Sequence, residues 1–477
     1  MYTSKRKRLD ICEMDKPVNS NPDFEGVFGD KRIGKRATQV LRKLTTGRSS
    51  SLREITEAES EQRSFYRLFN NESFSESGII KSITARCSDL SPGRHLLCIQ
   101  DTTEFNFSAK QRRIKPESGL GTTSRNDILG FMLHSSLVVD ADRSHALGYS
   151  FIKTWERPEE ETDKQERNYR DLPVKEKESY KWIEGANQSK DLLKAARMIT
   201  IVADRESDIY DLFGVAEKDR VHLLIRSSHD RQISGKLKLS TCLDDLPVMH
   251  NYKLSIAGDI RKNTIKRVAE MGLKWSQVEL LKPKSCKDVA LPEFQQVYVV
   301  EAIELGRKNG IHWRILTTHE VSTSEQALQI IRWYKERWHI EQVHRLLKTD
   351  GFRIERSQLE QGWAIRKLTL LAMMASLRIM QMMLAYSDDN EQSIDEVFDK
   401  QEQKCLQMIG KKMEGETEKL KNPIKANTLR WASWIIARMG GWKGYTSQRK
   451  PGPIVLQKGL AKFYNVYEGW LLFQDYN

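Results

Sequence analysis

The chain has 477 residues, of which 39% are hydrophobic, so it is long and apolar enough to form several domains with buried cores. Its formal net charge of +13 favours a polyanionic partner, most simply nucleic acid. Its six cysteines are scattered, without the paired spacing of a zinc module or a disulfide framework, so we expect a reducing cytoplasm.

The sequence predicts neither a signal peptide nor a membrane-spanning helix. Its N-terminus is basic but has no apolar stretch behind it, so we expect no signal peptide. The longest apolar run lies near residues 368–386 and is interrupted by Arg378 and Gln381. This pattern predicts a buried helix rather than a membrane span. We therefore expect no membrane partner. We also expect no nucleotide cofactor.

The N-terminal part of the chain predicts a small helical module. After a basic tail over residues 1–22, a helix capped by Asp30 is expected to run to about Leu44. Two more helices are expected near residues 57–69 and 75–87. Basic residues crowd the first helix, which favours DNA contact over an ordinary solvated face. They are Lys31, Arg32, Lys35, Arg36, Arg42 and Lys43.

The next part of the chain alternates between strands and helices. Two of its short apolar strands are expected to end at an aspartate, Asp101 and Asp204 respectively. Residues 230–310 then interrupt the α/β pattern with further strands, which indicates a β-rich insert. Core strands are predicted over residues 96–99, 131–139, 146–152, 199–202 and 221–225, with a helix over about 180–196, and insert strands over 252–256, 277–281 and 294–304.

A long helix is predicted from about residue 324 to 348, with Ser322 and Glu325 as its capping box. Beyond the apolar helix, the chain is acidic and polar as far as Glu402, which is typical of a linker. The last 75 or so residues contain four tryptophans, which favours a small helical domain.

Four residues of the predicted long helix share one face. Tyr334, Arg337, Glu341 and Lys348 have spacings that align them along nearly one line of an α-helix. The ordinary interpretation is an ion pair between Arg337 and Glu341 on a solvated surface. A solvated stripe does not need a tyrosine, however, whereas a stripe that handles phosphate groups would use all four side chains.

The two aspartates at the strand ends are ambiguous when taken singly. Asp204 is equally suited to cap a following helix, and Asp101 to organise a turn with Thr102 and Thr103. Together, two carboxylates at the ends of strands in one sheet would offer the oxygen ligands that Mg²⁺ prefers.

The string Tyr-x2-Arg-x3-Glu-x6-Lys formed by the four helix residues resembles the signature of the insertion-sequence-four family of bacterial DDE transposases. The similarity extends from about Gly29 to Trp470. It includes Gln100–Thr103 and Ala203–Asp208, which resemble the two aspartate motifs of the family, together with Ile225–Ser227, Glu355–Arg356, Gly440–Trp442 and Glu468–Trp470.

The resemblance implies an α/β fold with a ribonuclease-H-like catalytic core and a β-rich insertion. An α-helical N-terminal domain that binds DNA ends and an α-helical C-terminal dimerisation domain flank this core. The implied domains are residues 1–75, 76–388 (with the insert at about 230–310) and 389–477.

The resemblance also assigns roles to individual residues. It implies that Asp101, Asp204 and Glu341 are catalytic and bind Mg²⁺, with Mn²⁺ as an alternative. Trp313 matches a tryptophan that stacks on a flipped base. Two basic positions of the first helix match less well, because the family has a proline and an arginine where this chain has Lys31 and Ile33. The implied DNA-contacting residues are Tyr334, Arg337, Lys348, Arg226, Trp313, Arg32 and Arg36.

The implied function is DNA transposition in a bacterial cytoplasm, on nucleoid or plasmid DNA. Such an enzyme binds transposon ends as double-stranded DNA and cleaves them through a hairpin intermediate. It then joins the 3′ ends to target DNA, as a homodimer in the synaptic complex. Two alternatives remain open: a ribonuclease-H-like nuclease or resolvase, and a catalytically silent DNA-binding protein descended from a transposase.

Overall fold

A computed structural model of the chain describes residues 24–474, except 25, 48, 108–113, 115–116, 124–127, 158–171, 257–264, 349–350, 387–391, 415–420 and 446–448. The predicted basic tail over residues 1–22 lies outside this range. Ten strands of the described residues form one mixed sheet, with helices packed on both faces. The predicted α/β class is confirmed.

The sheet combines a ribonuclease-H-like half with an antiparallel extension. Strands β4, β3 and β1 are antiparallel, β1, β5 and β6 are parallel, and β10, β9, β8 and β7 continue the sheet as an antiparallel meander. The strands are β1 (His95–Asn106), β2 (Gly121–Thr122), β3 (Leu129–Asp140), β4 (Ala146–Trp155), β5 (Met198–Ala203), β6 (Val221–Arg226), β7 (His250–Ile256), β8 (Arg267–Leu281), β9 (Phe294–Glu304) and β10 (His312–Thr317).

Twelve α-helices of the described residues surround this sheet. They are α1 (Lys31–Thr46), α2 (Leu52–Ile55), α3 (Glu59–Phe69), α4 (Glu76–Leu90), α5 (Tyr180–Leu192), α6 (Leu239–Asp244), α7 (Ser324–Lys335), α8 (Trp338–Lys348), α9 (Gly362–Ala385), α10 (Lys400–Met413), α11 (Leu429–Met439) and α12 (Pro453–Gln474).

Alternation along β1 separates two hydrophobic cores, because successive side chains of a strand point to opposite faces of the sheet. Leu97 and Ile99 pack into the core on the side of α8 and α9, whereas Leu96 and Cys98 pack into the core on the side of α5. Asp101 has the parity of Leu97 and Ile99. It therefore lies on the sheet face that α8 covers.

The first predicted helix is confirmed as α1. The Asp30 carboxylate caps it by accepting a hydrogen bond of 2.8 Å from the Arg32 N–H, and Gly47 follows its end. The short helix α2 was not predicted, because the serines before it favoured a simple break. Helix α1 packs against α9 and α12, so the N-terminal helices contact the C-terminal part of the chain.

The predicted β-rich insert is present between β6 and α7, and its strands continue the catalytic sheet instead of forming a separate one. Strand β8 begins at Arg267, ten residues before the predicted start at Gln277. Its early part does alternate, so this strand pattern was overlooked in the sequence; β7 and β9 pair with it. The apolar positions are Ala269, Met271, Leu273 and Trp275, separated by Glu270, Gly272 and Lys274.

The predicted single long helix over residues 324–348 is wrong, because the structure has two helices here, α7 and α8. Between them the Arg337 N–H bonds to the Tyr334 carbonyl and the His339 N–H bonds to the Glu336 carbonyl, in the tighter 3₁₀ pattern. No proline or glycine marks this break, so the usual sequence signals for the end of a helix are absent. The capping box is also one residue later than predicted, at Thr323 and Gln326.

The predicted acidic linker is wrong for its described part, residues 392–402. Glu402 is buried and pairs with Arg378 of α9 at 2.8 Å, and the Tyr464 hydroxyl of α12 donates to it at 2.6 Å. A polar composition indicated a solvated segment, but these charges are neutralised inside the protein. Helix α9 itself is long and apolar enough to cross a membrane, yet 89% of its most apolar window is buried inside the protein.

Two buried histidines, His95 and His319, and the half-buried His222 form a cluster at the end of the sheet opposite Asp101. The Thr200 hydroxyl lies 2.8 Å from Nε2 of both His95 and His319, and the His222 ring stacks on His319 at 4.0 Å. Burial lowers the pKa of His95 to about 4 and that of His319 to about 2. These rings are therefore neutral in the folded protein.

The cluster predicts a loss of stability in mild acid. Unfolding releases the histidines to a pKa near 6.5, so the unfolded chain binds more protons below that pH. The stabilisation is complete above about pH 6.5 and falls by up to about 1.4 kcal/mol per pH unit for each of His95 and His319 as the pH drops towards 4. Urea unfolding at about pH 7 and about pH 5 measures this, and His319→Gln should flatten the dependence. An equal slope in wild type and variant would contradict it.

Candidate active site

Asp101 lies inside a strand rather than at its end, which corrects the predicted strand over residues 96–99. The parallel pairing of β1 with β5 stops at Ile99 and Val202, whereas the antiparallel pairing with β3 continues through Asp101 and Ser135. At Asp101, β1 is thus no longer paired with β5 but is still paired with β3. The Thr102 N–H donates to the Asp101 carboxylate at 2.9 Å.

Helix α8 brings Glu341 to the same place. The Arg337 guanidinium lies 3.7 Å from Asp101 Oδ2 and donates to Glu341 Oε1. The three side chains are largely but not completely buried. A carboxylate from the sheet and a carboxylate from the helix therefore meet on one cationic group, which extends the ion pair expected between Arg337 and Glu341.

Asp204 follows β5 directly and has the capping role that was one of the two weighed for it. Its carboxylate accepts a hydrogen bond of 2.9 Å from the Glu206 N–H and so caps the short 3₁₀ helix Arg205–Ser207. Its negative charge also contributes to raising the pKa of Asp101, so the two carboxylates interact electrostatically. A capping role and a role in the site are thus compatible.

The charge of Asp101 is costly in this environment. Burial raises the pKa of Asp101 to about 7, Arg337 acts in the opposite direction, and the neighbouring Asp204 raises it further. His344 lies 3.7 Å from the same carboxylate, and burial lowers the pKa of His344 to about 3, so its ring is neutral. Arg337 is therefore the cation that contacts Asp101 among the described residues.

The side chains present suit a divalent metal ion. Carboxylate oxygens are the ligands that hard divalent cations prefer, and a cation already lies between two of them in the form of Arg337. Among the described residues no three His, Cys, Asp or Glu side chains are close enough together to hold a metal as they stand. Binding of a metal by all three carboxylates thus requires them to come closer together than they are in this structure.

A second group of predicted residues lies beside the carboxylates. The Tyr334 and Trp313 rings contact each other edge to face at 6.2 Å, and the Arg226 guanidinium lies close enough to the Tyr334 hydroxyl to lower its pKa. Arg226 also donates to the His312 carbonyl at 3.2 Å. Burial raises the pKa of Tyr334, against the opposing effect of Arg337 and Arg226, so its hydroxyl keeps its proton and remains a donor.

Lys348 lies at the far end of α8, with its ammonium group 5.5 Å from the centre of the Phe105 ring. Burial lowers the pKa of Lys348, and the nearby carboxylates of Glu355, Glu104 and Asp101 raise it. The structure thus gathers Lys348 with the other helix residues along one side of the site.

Arg32 and Arg36 are not brought into this group. They lie on α1, whose main contacts are with α9, α3 and α12. Arg32 is 91% exposed and pairs with Asp30. Any DNA contact by these two residues would be made on a different part of the protein surface.

Two residues of this region were not predicted. His344 lies seven residues after Arg337, so helical spacing alone would have placed it near the same face. Trp338 begins α8 beside Arg337 and is 57% exposed. No pattern in the sequence distinguishes it from the buried tryptophans.

Two protein-family models match the chain. A transposase DNA-binding model matches residues 24–74, on the N-terminal helices, and a transposase DDE domain model matches residues 181–378. Together they match a little more than half of the chain. The second match contains Asp204 and Glu341, whereas Asp101 joins them only through the geometry of the site.

Among solved structures, the piggyBac transposase synaptic complex with hairpin DNA, determined by cryo-EM, is similar to this chain. The identity is 10%, the match covers 92% of this chain and 72% of that one, and the TM-score is 0.36. A similarity at that TM-score supports no conclusion about this chain. The family matches do: the chain is a metal-dependent DDE transposase, with a ribonuclease-H-like fold and a DNA-binding domain ahead of the DDE domain.

Proposed function

We propose that this chain is a cut-and-paste transposase of the bacterial insertion-sequence-four family, which excises its element through hairpin ends and joins the 3′ ends to target DNA. The observation that supports this proposal best is the meeting of Asp101 and Glu341, from distant parts of the chain, on the Arg337 guanidinium. An ordinary surface ion pair would not involve a buried strand of the sheet.

Asp101, Asp204 and Glu341 are the proposed metal ligands, and Mg²⁺ is the proposed ion, with Mn²⁺ as a substitute. A divalent metal held there would supply an activated water and would neutralise charge on the leaving 3′ oxygen. The chain's own contribution is to hold the carboxylates rigidly on β1, after β5 and on α8. Each reaction of the series is a phosphodiester exchange with similar geometry and charge, so one site serves them all.

The cationic and aromatic side chains would position the DNA. Arg337 and Lys348 offer charged donors to phosphate oxygens on either side of Glu341, and the Tyr334 hydroxyl offers a neutral donor. Arg226, at the end of β6, adds a further positive charge near Tyr334. Binding should weaken steeply with salt, because each phosphate contact releases counterions.

Trp313 is proposed to stack on a base that leaves the helix during hairpin formation. Trp313→Ala should slow hairpin formation by about 10- to 100-fold, the equivalent of about 1–3 kcal/mol of stacking, and leave the first nick nearly unchanged. Trp313→Phe keeps an aromatic face and should be affected less. The two products separate on denaturing and native gels. Equal slowing of both steps would show instead that Trp313 acts by packing on Tyr334.

Three further assignments complete the proposal. The domains are residues 1–75, 76–388 and 389–477, with Arg32 and Arg36 of the first contributing to recognition of the transposon ends. Two chains pair as a homodimer when two ends are held together. The enzyme acts in the bacterial cytoplasm, on nucleoid or plasmid DNA.

A cleavage assay with purified protein, Mg²⁺ and linear DNA carrying the flanking ends of its own element tests the proposal. Excision that leaves a hairpin on the element end, and that is lost in Glu341→Ala, is the expected result. Binding without cutting by either protein would identify a silent DNA-binding protein. Nicking that ignores the end sequence and yields no hairpin would identify a nuclease.

A further inference from the structure

Asp208 closes the second aspartate motif, Ala203–Asp208, yet the proposed site does not use it. Its side chain is fully buried and accepts hydrogen bonds from Arg231 Nε at 2.7 Å, the Ser228 N–H at 2.8 Å and the His229 N–H at 3.2 Å. Arg231 Nη2 also donates to the Asp208 carbonyl at 2.7 Å. Nearly every acceptor position of one carboxylate is thus used to hold one loop.

Asp208 joins two segments that border the site: the turn after β5, which contains Asp204, and the loop after β6, the strand that ends at Arg226. Asp208 follows the 3₁₀ helix that Asp204 caps, and its own N–H bonds to the Arg205 carbonyl. The loop that it holds, residues 228–231, begins two residues after Arg226, which ends β6. The Ser227 N–H bonds to the Arg314 carbonyl at 2.8 Å, which continues the connection to β10.

Lys181 and Arg231 make further contacts around the 3₁₀ helix Arg205–Ser207 and Asp208. Lys181 at the start of α5 is 8% exposed and lies 3.5 Å from Glu206, which is in the middle of the turn. Arg231 is equally buried, and its guanidinium lies 6.0 Å from the centre of the Phe213 ring. A buried ion pair of this kind costs desolvation energy, so its value to the protein need not be stability alone.

We propose that Asp208 and Arg231 are positioning residues, which set the place of Asp204 relative to Arg226 and so the approach of Asp204 to a metal ion. This inference rests on the proposed function, in which Asp204 is a metal ligand. Neither Asp208 nor Arg231 touches the reacting atoms. Groups that orient a metal ligand through hydrogen bonds typically change metal affinity or activity by about 10- to 100-fold when they are replaced.

The test compares Asp208→Asn with Asp140→Asn. Asp140 is a matched control, because its buried carboxylate accepts from Arg94 at 2.9 Å and from the N–H groups of Asp142 and Arg143 at 3.0 Å each. It lies at the end of β3 remote from Asp101. Two quantities are measured on the complex with end DNA: the Mg²⁺ concentration for half-maximal cleavage, and the Kd for Mn²⁺ from the spectrum of the free ion.

Asp208→Asn should raise both quantities by about 10-fold or more while the affinity for DNA in Ca²⁺ stays unchanged. Asp140→Asn should lose stability but keep the wild-type metal dependence. Equal metal dependence in wild type, Asp208→Asn and Asp140→Asn would overturn the inference. Absence of metal-dependent cleavage by the wild type would instead overturn the proposed function on which it rests.

Arg231→Lys provides a second variant in case Asp208→Asn fails to fold. It keeps the positive charge but replaces the planar fork of donors with a single ammonium group. We expect a smaller shift of the Mg²⁺ and Mn²⁺ values in the same direction. Wild-type values for this variant, with the Asp208 contacts weakened, would also overturn the inference.

Discussion

Replacing Glu341 with glutamine is expected to abolish metal-dependent cleavage while the protein still folds and binds DNA. Glutamine keeps the size of the side chain but removes the charge that a divalent cation requires. Loss of several kcal/mol of transition-state stabilisation corresponds to a rate at least about 10³-fold lower. The measurement is the single-turnover rate of the first nick at saturating protein.

The stability of the Glu341→Gln variant should change little. The ion pair with Arg337 is partly exposed, and pairs of this kind contribute about 0–1 kcal/mol. Glu336→Gln is a matched control, because Glu336 is similarly exposed and also has a nearby basic partner, His339 at 2.8 Å. Activity equal to wild type in Glu341→Gln, or an equal loss in Glu336→Gln, would remove Glu341 from the catalytic site.

Replacing Arg378 with methionine is expected to destabilise the protein by about 3–5 kcal/mol. The guanidinium is 5% exposed and pairs with Glu402, which is 6% exposed, and it also lies 4.7 Å from the centre of the Phe398 ring. Methionine fills much of the volume but leaves the Glu402 charge buried without its partner. The shift of the urea unfolding midpoint measures the loss.

Arg63→Met is the control for this prediction. Arg63 pairs with Glu59 one turn away on α3, with both side chains mostly exposed, so its loss should cost less than about 0.5 kcal/mol. Adding Glu402→Gln to Arg378→Met removes the stranded charge and should recover part of the stability. Similar losses for Arg378→Met and Arg63→Met would show that the buried pair is hydrated in solution.

The buried pair also shows why the prediction of a linker over residues 392–402 is wrong. Their acidic composition is typical of a solvated segment, and the residue that neutralises Glu402 is Arg378, which belongs to a different helix. Hydrophobic pattern and local composition contain no information on such partners. The same pairing ties the C-terminal helices to α9.

The sequence by itself determined the features that depend on neighbours along the chain. The Asp30 cap of α1, the alternation of strands and helices, and the position of Asp204 after β5 all follow from residues a few positions apart. The helical spacing of Arg337 and Glu341 likewise predicted their contact, because residues four apart on a helix are neighbours.

Only the tertiary structure decided how these parts meet. Asp101 lies inside β1 because β3 continues to pair beyond the point where β5 stops, and the helix divides into α7 and α8 without a local breaker. Arg337 reaches Asp101 as well as Glu341, and Asp208 holds the loop after β6. These contacts join residues far apart in the chain, and their energy comes from burial and charge pairing that no local pattern encodes.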